Sequence, residues 1–518
     1  LLLAHKGPFN AEPQHIGPVE QMAVESFASL AVIYDDHQSS WLKCLWRGYF
    51  IDRTGERDIQ RTSDPERERR RELAWVRHRH LSIQKERNIK ESWAELDQVD
   101  RDRGASARME VIAIERKGFQ FNCTLGTPSR EPDVLPFLIS MFIEVEEAQF
   151  KVLVDRPFKK HPSITLRLLA EVYALLSSLA RKLCEGIVRA PWSSEHVPQH
   201  CPLIARSQLI ELLVQGLRIS TDEAQQALSY LSHGGHERHD LWSRPLVLID
   251  KEEFALVLRP LIGVNPTWLL KNWMRDGGLH IDQTGGAYEQ QVRKELDHAC
   301  RLKTAEVLQH SMVLDKGNNP EQVDLVVRIG NTFLIGEVKC TVFPTRPDEI
   351  TNYETRLDEA AQQALRKAER ASQNKGTLAR LFNSPLDTEK PIEILPFILS
   401  NLAIGVGQHP RSVPVIDCLT LANYLHSGEI ESYSVIHTPK GTHWQTQKVY
   451  LYTSEQEAES NIRDYLRTPV SLKLNEDLVE EQVHDWFPLP HLRQAASQRF
   501  KMRTTTSMSF SDARSMEA

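Results

Sequence analysis

Cysteine is sparse in this chain and never patterned for pairing. The 518 residues include seven, Cys44, Cys123, Cys184, Cys201, Cys300, Cys340 and Cys418, odd in number, scattered and without a C-x-x-C. That excludes a disulfide framework and a cysteine-based zinc site, and it fits a reducing, cytoplasmic compartment. Long apolar runs are also missing. Stretches such as 134–143 fall well short of the roughly 18 residues that cross a bilayer, so no membrane partner is expected. Nor is there an excess of positive charge: 63 Lys and Arg stand against 70 Asp and Glu, a formal net charge of -7. A protein that coats nucleic acid through its global charge is excluded; phosphate contact has to come from local basic patches or a bound metal. No G-x-x-x-x-G-K-[ST], H-E-x-x-H or G-x-S-x-G occurs. An internal ATPase, a zincin and an α/β-hydrolase are thereby disfavoured.

What is present reads as an ordinary globular chain, 41% hydrophobic and 26% charged, with length for several domains. Residues 1–200 read as a mainly helical α+β region. Within it, 64–102 is densely charged, with Arg69-Arg70-Arg71, His78 and His80 among Leu73, Trp75, Val76 and Leu81. The expectation is an exposed helical arm with a solvated charged face, the alternative an arm that grips phosphates. Short strands are expected within 109–149, and apolar residues at helical spacing mark a buried helix over 164–188. Residues 203–262 give two amphipathic helices, the second opened by the capping-box pair Ser220 and Glu223, then strands over 246–249 and 254–258. This order resembles a winged-helix module. Asp222, Glu223, Gln225 and Gln226 at the start of its second helix are poor partners for phosphates, which leaves a structural or protein-contacting role open beside DNA reading. His233, His236 and His239 at three-residue spacing read as a polar loop before a metal site. An αβ domain follows over 265–428, an α+β extension over 429–502, and a Ser-, Thr- and Met-rich tail over 503–518 that reads as disordered.

The chemistry concentrates in QVDLVVRIGNTFLIGEVKC. Apolar, mostly β-branched residues predict strands over 322–329 and 332–340, joined by the turn pair Gly330-Asn331. A turn centred between those two residues sets Asp324 directly opposite Glu337, with Cβ atoms about 4.5–5.5 Å apart. Lys339, two residues beyond Glu337, points to the same face. Two carboxylates facing each other repel, and in apolar surroundings they need a compensating cation. Mg²⁺ prefers hard oxygen ligands and substrate phosphate oxygens, and an adjacent lysine can hold a phosphate as a point charge. The plainer alternative is a hairpin in which Asp324 caps a strand end and Glu337 pairs with Lys339 at the surface. Cys340 should alternate to the core face as packing.

An Asp followed by Glu-Val-Lys at the end of the next strand resembles the PD-(D/E)XK nuclease superfamily, nearest its nuclease-related and Mrr-like branches. The resemblance covers about 140 residues. It implies an α/β class with a restriction-endonuclease-like core in the C-terminal half. It implies that Asp324 and Glu337 bind metal together with the Val338 carbonyl, that Lys339 activates water, and that Glu289 of GGAYEQQVRKELDHA supports the site or binds metal, Glu295 being the alternative. A Gln on the following helix, carried by some members, has Gln362 and Gln363 as candidates. The Tyr that goes with it in one subgroup is absent, and Arg366, Lys367 and Arg370 stand ready for backbone phosphates instead. The implied activity is Mg²⁺-dependent hydrolysis of nucleic acid, DNA before RNA, with Mn²⁺ able to substitute. Restriction or anti-phage defence, a homo-oligomer, and a separate ATPase, helicase or sensor partner follow from family habit alone. The other class of function is a nuclease-like fold that binds or scaffolds without cutting.

Overall fold

The computed structural model describes residues 38–53, 58–81, 110–126, 153–185, 201–234, 240–249, 251–280, 284–314, 320–382, 386–438, 441–474, 479–485 and 495–502, apart from 39, 80, 118 and 119, and with residue 476 in addition. They form two compact units, one from 82–284, the other from 35–81 together with 285–518. Among the described residues no helix is long and apolar enough to cross a membrane.

In the first unit the expected buried helix runs Leu166–Glu185, with Leu169, Val172, Leu176 and Leu179 on its inner stripe. The order helix, helix, hairpin over 203–262 is present as Arg206–Leu217, Thr221–Tyr230, Leu246–Leu248 and Glu253–Leu256. Ser220 and Glu223 close the capping box. A short strand, Leu203–Ala205, pairs with Glu253–Leu256 and completes a three-stranded sheet; three residues are too few for a period of two to stand out.

The second unit is mixed α/β. Its elements are α1 (Gly285–Ala299), β1 (Ala305–Val307), β2 (Leu325–Ile329), β3 (Thr332–Lys339), α2 (Pro347–Gln373), β4 (Glu393–Ser400), β5 (Val415–Asp417), α3 (Cys418–His426) and α4 (Glu455–Arg467). The sheet runs β5-β4-β3-β2-β1. The first two neighbouring pairs are parallel and the last two antiparallel. Alternation along the strands divides the core. Leu325, Val327, Ile329 and Leu334 pack with Tyr288, Val292 and Leu296 of α1 and with Leu421 and Tyr424 of α3. Val326, Phe333 and Ile335 pack with Ala368 and Ala371 of α2, and Ile398 with Ala360, Ala361 and Ala364. Alanines along the inner stripe of α2 bring its backbone close to the sheet.

Three expectations need correction. The charged stretch at 64–102 is not an exposed arm where it is described. A helix over 65–79 packs inside the second unit: Leu73 and Val76 are buried with Val406, Leu472 and Val479. Two of its arginines are buried too, Arg71 on Glu354 and Glu68, Arg77 on Asp417. A further sheet pairs Asp58–Thr62 in parallel with Ala495–Met502. Residues 35–81 thus belong with the C-terminal half, where 1–200 was expected to stand as one region. The strand expected over 322–329 is likewise broken at Asp324. Glu321–Val323 pairs with Met312–Leu314, and only Leu325–Ile329 joins the main sheet.

Candidate functional site

The hairpin register is the expected one. Leu325 pairs with Gly336 and Ile329 with Thr332, around a turn in which Gly330 takes a positive φ of 58°. Asp324 lies one residue outside this ladder, at the bend between two short strands. Its Oδ2 accepts the Val338 backbone N–H at 3.1 Å. Its own carbonyl accepts from the buried Arg293 of α1 at 2.6 Å. The bend is therefore anchored on both sides, which aims the carboxylate back along β3 toward Glu337.

Asp324 and Glu337 are 8% and 4% exposed, a buried acidic pair. The cation they require is supplied by the chain. Lys367 of α2 places its Nζ 3.2 Å from both oxygens of Asp324, and it also donates to Glu337 Oε2. Lys339 donates to the other oxygen of Glu337 at 2.6 Å and to Gln363 Oε1 at 2.9 Å. Burial, followed by the nearby Glu337 charge, pushes Asp324 up to about 6, against the pull of Lys367 and the Val338 N–H. Burial works against the Lys367 charge, but Glu337 and Asp324 outweigh it and hold the ammonium above its usual range. Glu289 on α1 is raised by burial and by Glu337, with Arg293, Lys367 and Lys339 opposing. It forms an ion pair with Arg293 at 3.8 Å.

Asp324, Glu337, Lys339 and Gln363 thus come together, with Glu289 electrically coupled to them. Gln362 does not join them; it faces the Arg411 guanidinium. Arg366 and Arg370 turn to Glu321, Arg366 at 2.9 Å and Arg370 at 3.7 Å. Glu295 bonds Gln291 and the Cys418 thiol. Cys340 packs against the core as expected. His236 and His239 lie outside the described residues.

Lys367 was expected, with Arg366 and Arg370, to meet backbone phosphates. It is buried because it shares the inner stripe of α2 with Ala360, Ala364 and Ala371. A lysine at a position where every neighbour on the stripe is alanine is the signal that would have found it. Arg293, beside Val292 on the core side of α1, was also missed.

As a metal site the donor set is hard and oxygen-based, and its two carboxylates already converge on one cation, the Lys367 ammonium. That chemistry fits Mg²⁺. Among the described residues no three His, Cys, Asp or Glu side chains are gathered closely enough to hold a metal, so Asp324 and Glu337 form the pair and Glu289 stands apart from it. No family model, curated protein or solved structure matches the chain.

Proposed function

We propose that this chain is a metal-dependent nuclease of the restriction-endonuclease-like, PD-(D/E)XK type, hydrolysing phosphodiester bonds in nucleic acid, DNA foremost. The observation that carries the reading is the meeting of Asp324, Glu337 and Lys339 at the end of one hairpin. Gln363 on the following helix bonds Lys339 there, and Glu289 on the preceding helix feels the charges of Lys367, Glu337 and Lys339. The sheet order, with parallel β3, β4 and β5 and antiparallel β1 and β2, is compatible with that type.

Mg²⁺ held by Asp324, Glu337 and the Val338 carbonyl would supply Lewis acidity at a phosphate and a nucleophilic water. The chain's own groups do the remaining work. Arg293 and the Val338 N–H fix the Asp324 carboxylate. Gln363 and Glu337 hold the Lys339 ammonium at the rim, its side chain 29% exposed. A phosphate oxygen can reach it there as a partner for a point charge. Incubating plasmid with Mg²⁺ and the wild-type chain, Asp324→Ala or Lys339→Ala tests the reading. Cleavage by the wild type alone is expected, and equal cleavage by all three overturns it.

A second reading is favoured by one specific observation, the pairing of both carboxylates with the chain's own cations, Lys367 and Lys339. A nuclease-like fold balanced in this way can bind or scaffold nucleic acid without cutting. Binding of an oligonucleotide with no Mg²⁺-stimulated cleavage under any condition would select it.

A further inference from the structure

We propose that the Lys367 ammonium competes with the divalent metal for the Asp324–Glu337 pair, so that metal loads only as this lysine withdraws. The proposal rests on the nuclease reading and concerns the control of that site.

An ammonium offers three donors. Lys367 spends them on three carboxylate oxygens, both of Asp324 at 3.2 Å and Oε2 of Glu337. Mg²⁺ demands oxygens at about 2.0–2.1 Å in near-octahedral array. A metal between the two carboxylates would need the place the ammonium occupies, and two cations that close repel strongly in a buried setting. Binding of one is therefore release of the other.

The two lysines differ in a way that separates their roles. Lys339 approaches Oε1 of Glu337 from the rim, also bonded to Gln363, and a metal between the carboxylates leaves it in place. Lys367 lies inside, its side chain 7% exposed. Its backbone is fixed on α2 among alanines, so withdrawal is a change of rotamer along a four-carbon stem and leaves the fold intact. The structure therefore holds a removable internal cation, and metal affinity is set partly by how firmly it sits.

The test uses the full chain, stripped with EDTA, free of nucleic acid and titrated calorimetrically with Mn²⁺ alone. If the lysine is seated about nine-tenths of the time, abolishing its charge tightens binding about tenfold. Lys367→Met and Lys367→Gln are expected to show that gain and Lys367→Arg is not. A wild-type measurement covers failure of a variant to fold: acetylation of the Lys367 amine, followed by peptide mass spectrometry, should accelerate on saturation with Mn²⁺. Equal or weaker Mn²⁺ binding by the Met and Gln variants, or labelling unchanged under saturating Mn²⁺, overturns the competition and leaves the nuclease reading standing. Mn²⁺ binding by none of the four proteins overturns both.

Discussion

Arg77 and Asp417, 340 positions apart in the chain, meet in a buried two-pronged ion pair at 2.6 and 3.1 Å. The guanidinium also reaches Thr420, and Asp417 caps α3 through the Thr420 N–H. Burial opposes the Asp417 charge, yet Arg77 and Thr420 outweigh it and hold the carboxyl below its usual value. Removing one partner of such a pair leaves a buried charge alone. Arg77→Ala is expected to lower the unfolding free energy of this unit by about 3–5 kcal/mol. The pair Arg77→Met with Asp417→Leu should lose much less, because no charge remains. The sign with pH follows from a depressed carboxyl. Its contribution is present above the unfolded value of about 3.9 and is lost as pH falls through the lower folded value. Denaturant titrations of the three proteins between pH 7 and pH 3 check all of this, and equal stability of Arg77→Ala and wild type would refute it.

The same ion pair explains what the sequence hid. A run of arginines and glutamates over 64–79 has the local signature of a solvated face. Nothing near Arg71 or Arg77 says that their partners are Glu354 and Asp417, hundreds of residues away. The hairpin is the opposite case. Its register depends on a local turn and a period of two, and both were legible from Gly330 and the apolar residues around it. The break at Asp324 was not, because a bend stabilised by Arg293 from another helix leaves no mark on strand propensity. The carboxylates were therefore legible and their geometry was only partly so. Lys367 shows why: the need for a cation could be derived, but its source was a side chain brought in by tertiary packing.

Cleavage should depend on pH through Asp324. Its carboxyl, raised to about 6 by burial and the neighbouring Glu337, must be ionised to hold a metal. The rate at saturating nucleic acid and fixed Mg²⁺ is expected to be steady above pH 7 and to fall about tenfold for each pH unit well below 6. A rate unchanged between pH 7.5 and pH 5 would show that Asp324 needs no ionisation for the reaction.

The adjacent glutamines of α2 should behave differently. Gln363 accepts from the Lys339 ammonium at 2.9 Å, and Gln362 points to Arg411. Consecutive helical residues face about 100° apart, so the sequence left both open and the structure separates them. Gln363→Ala frees the Lys339 ammonium and is expected to lower cleavage about tenfold at unchanged stability. Gln362→Ala should leave cleavage within about twofold of wild type. Equal effects from the two would show that the Gln363 contact has no part in activity.

Gly336 tests how tightly the sheet positions the carboxylate that follows it. A Cβ there would stand 2.7 Å from Phe397 Cζ and 3.2 Å from Leu325 Cβ. Phe397 is fully buried and cannot swing away. Gly336→Ala therefore pushes β3 from its neighbours on both sides and is expected to cost about 1–3 kcal/mol as overpacking. Glu337 is the next residue, so the same push displaces its carboxylate from Lys367 and Asp324, and cleavage should fall further than stability alone accounts for. Gly376 is the control: it lies in the short helix Lys375–Ala379 with open space where an added methyl would stand, and Gly376→Ala should be neutral or stabilising by up to about 1 kcal/mol. Thermal unfolding and cleavage measured on both variants separate strain at the site from a general effect of losing a glycine. If Gly336→Ala cuts as well as Gly376→Ala does, the close packing behind Glu337 has no bearing on the site.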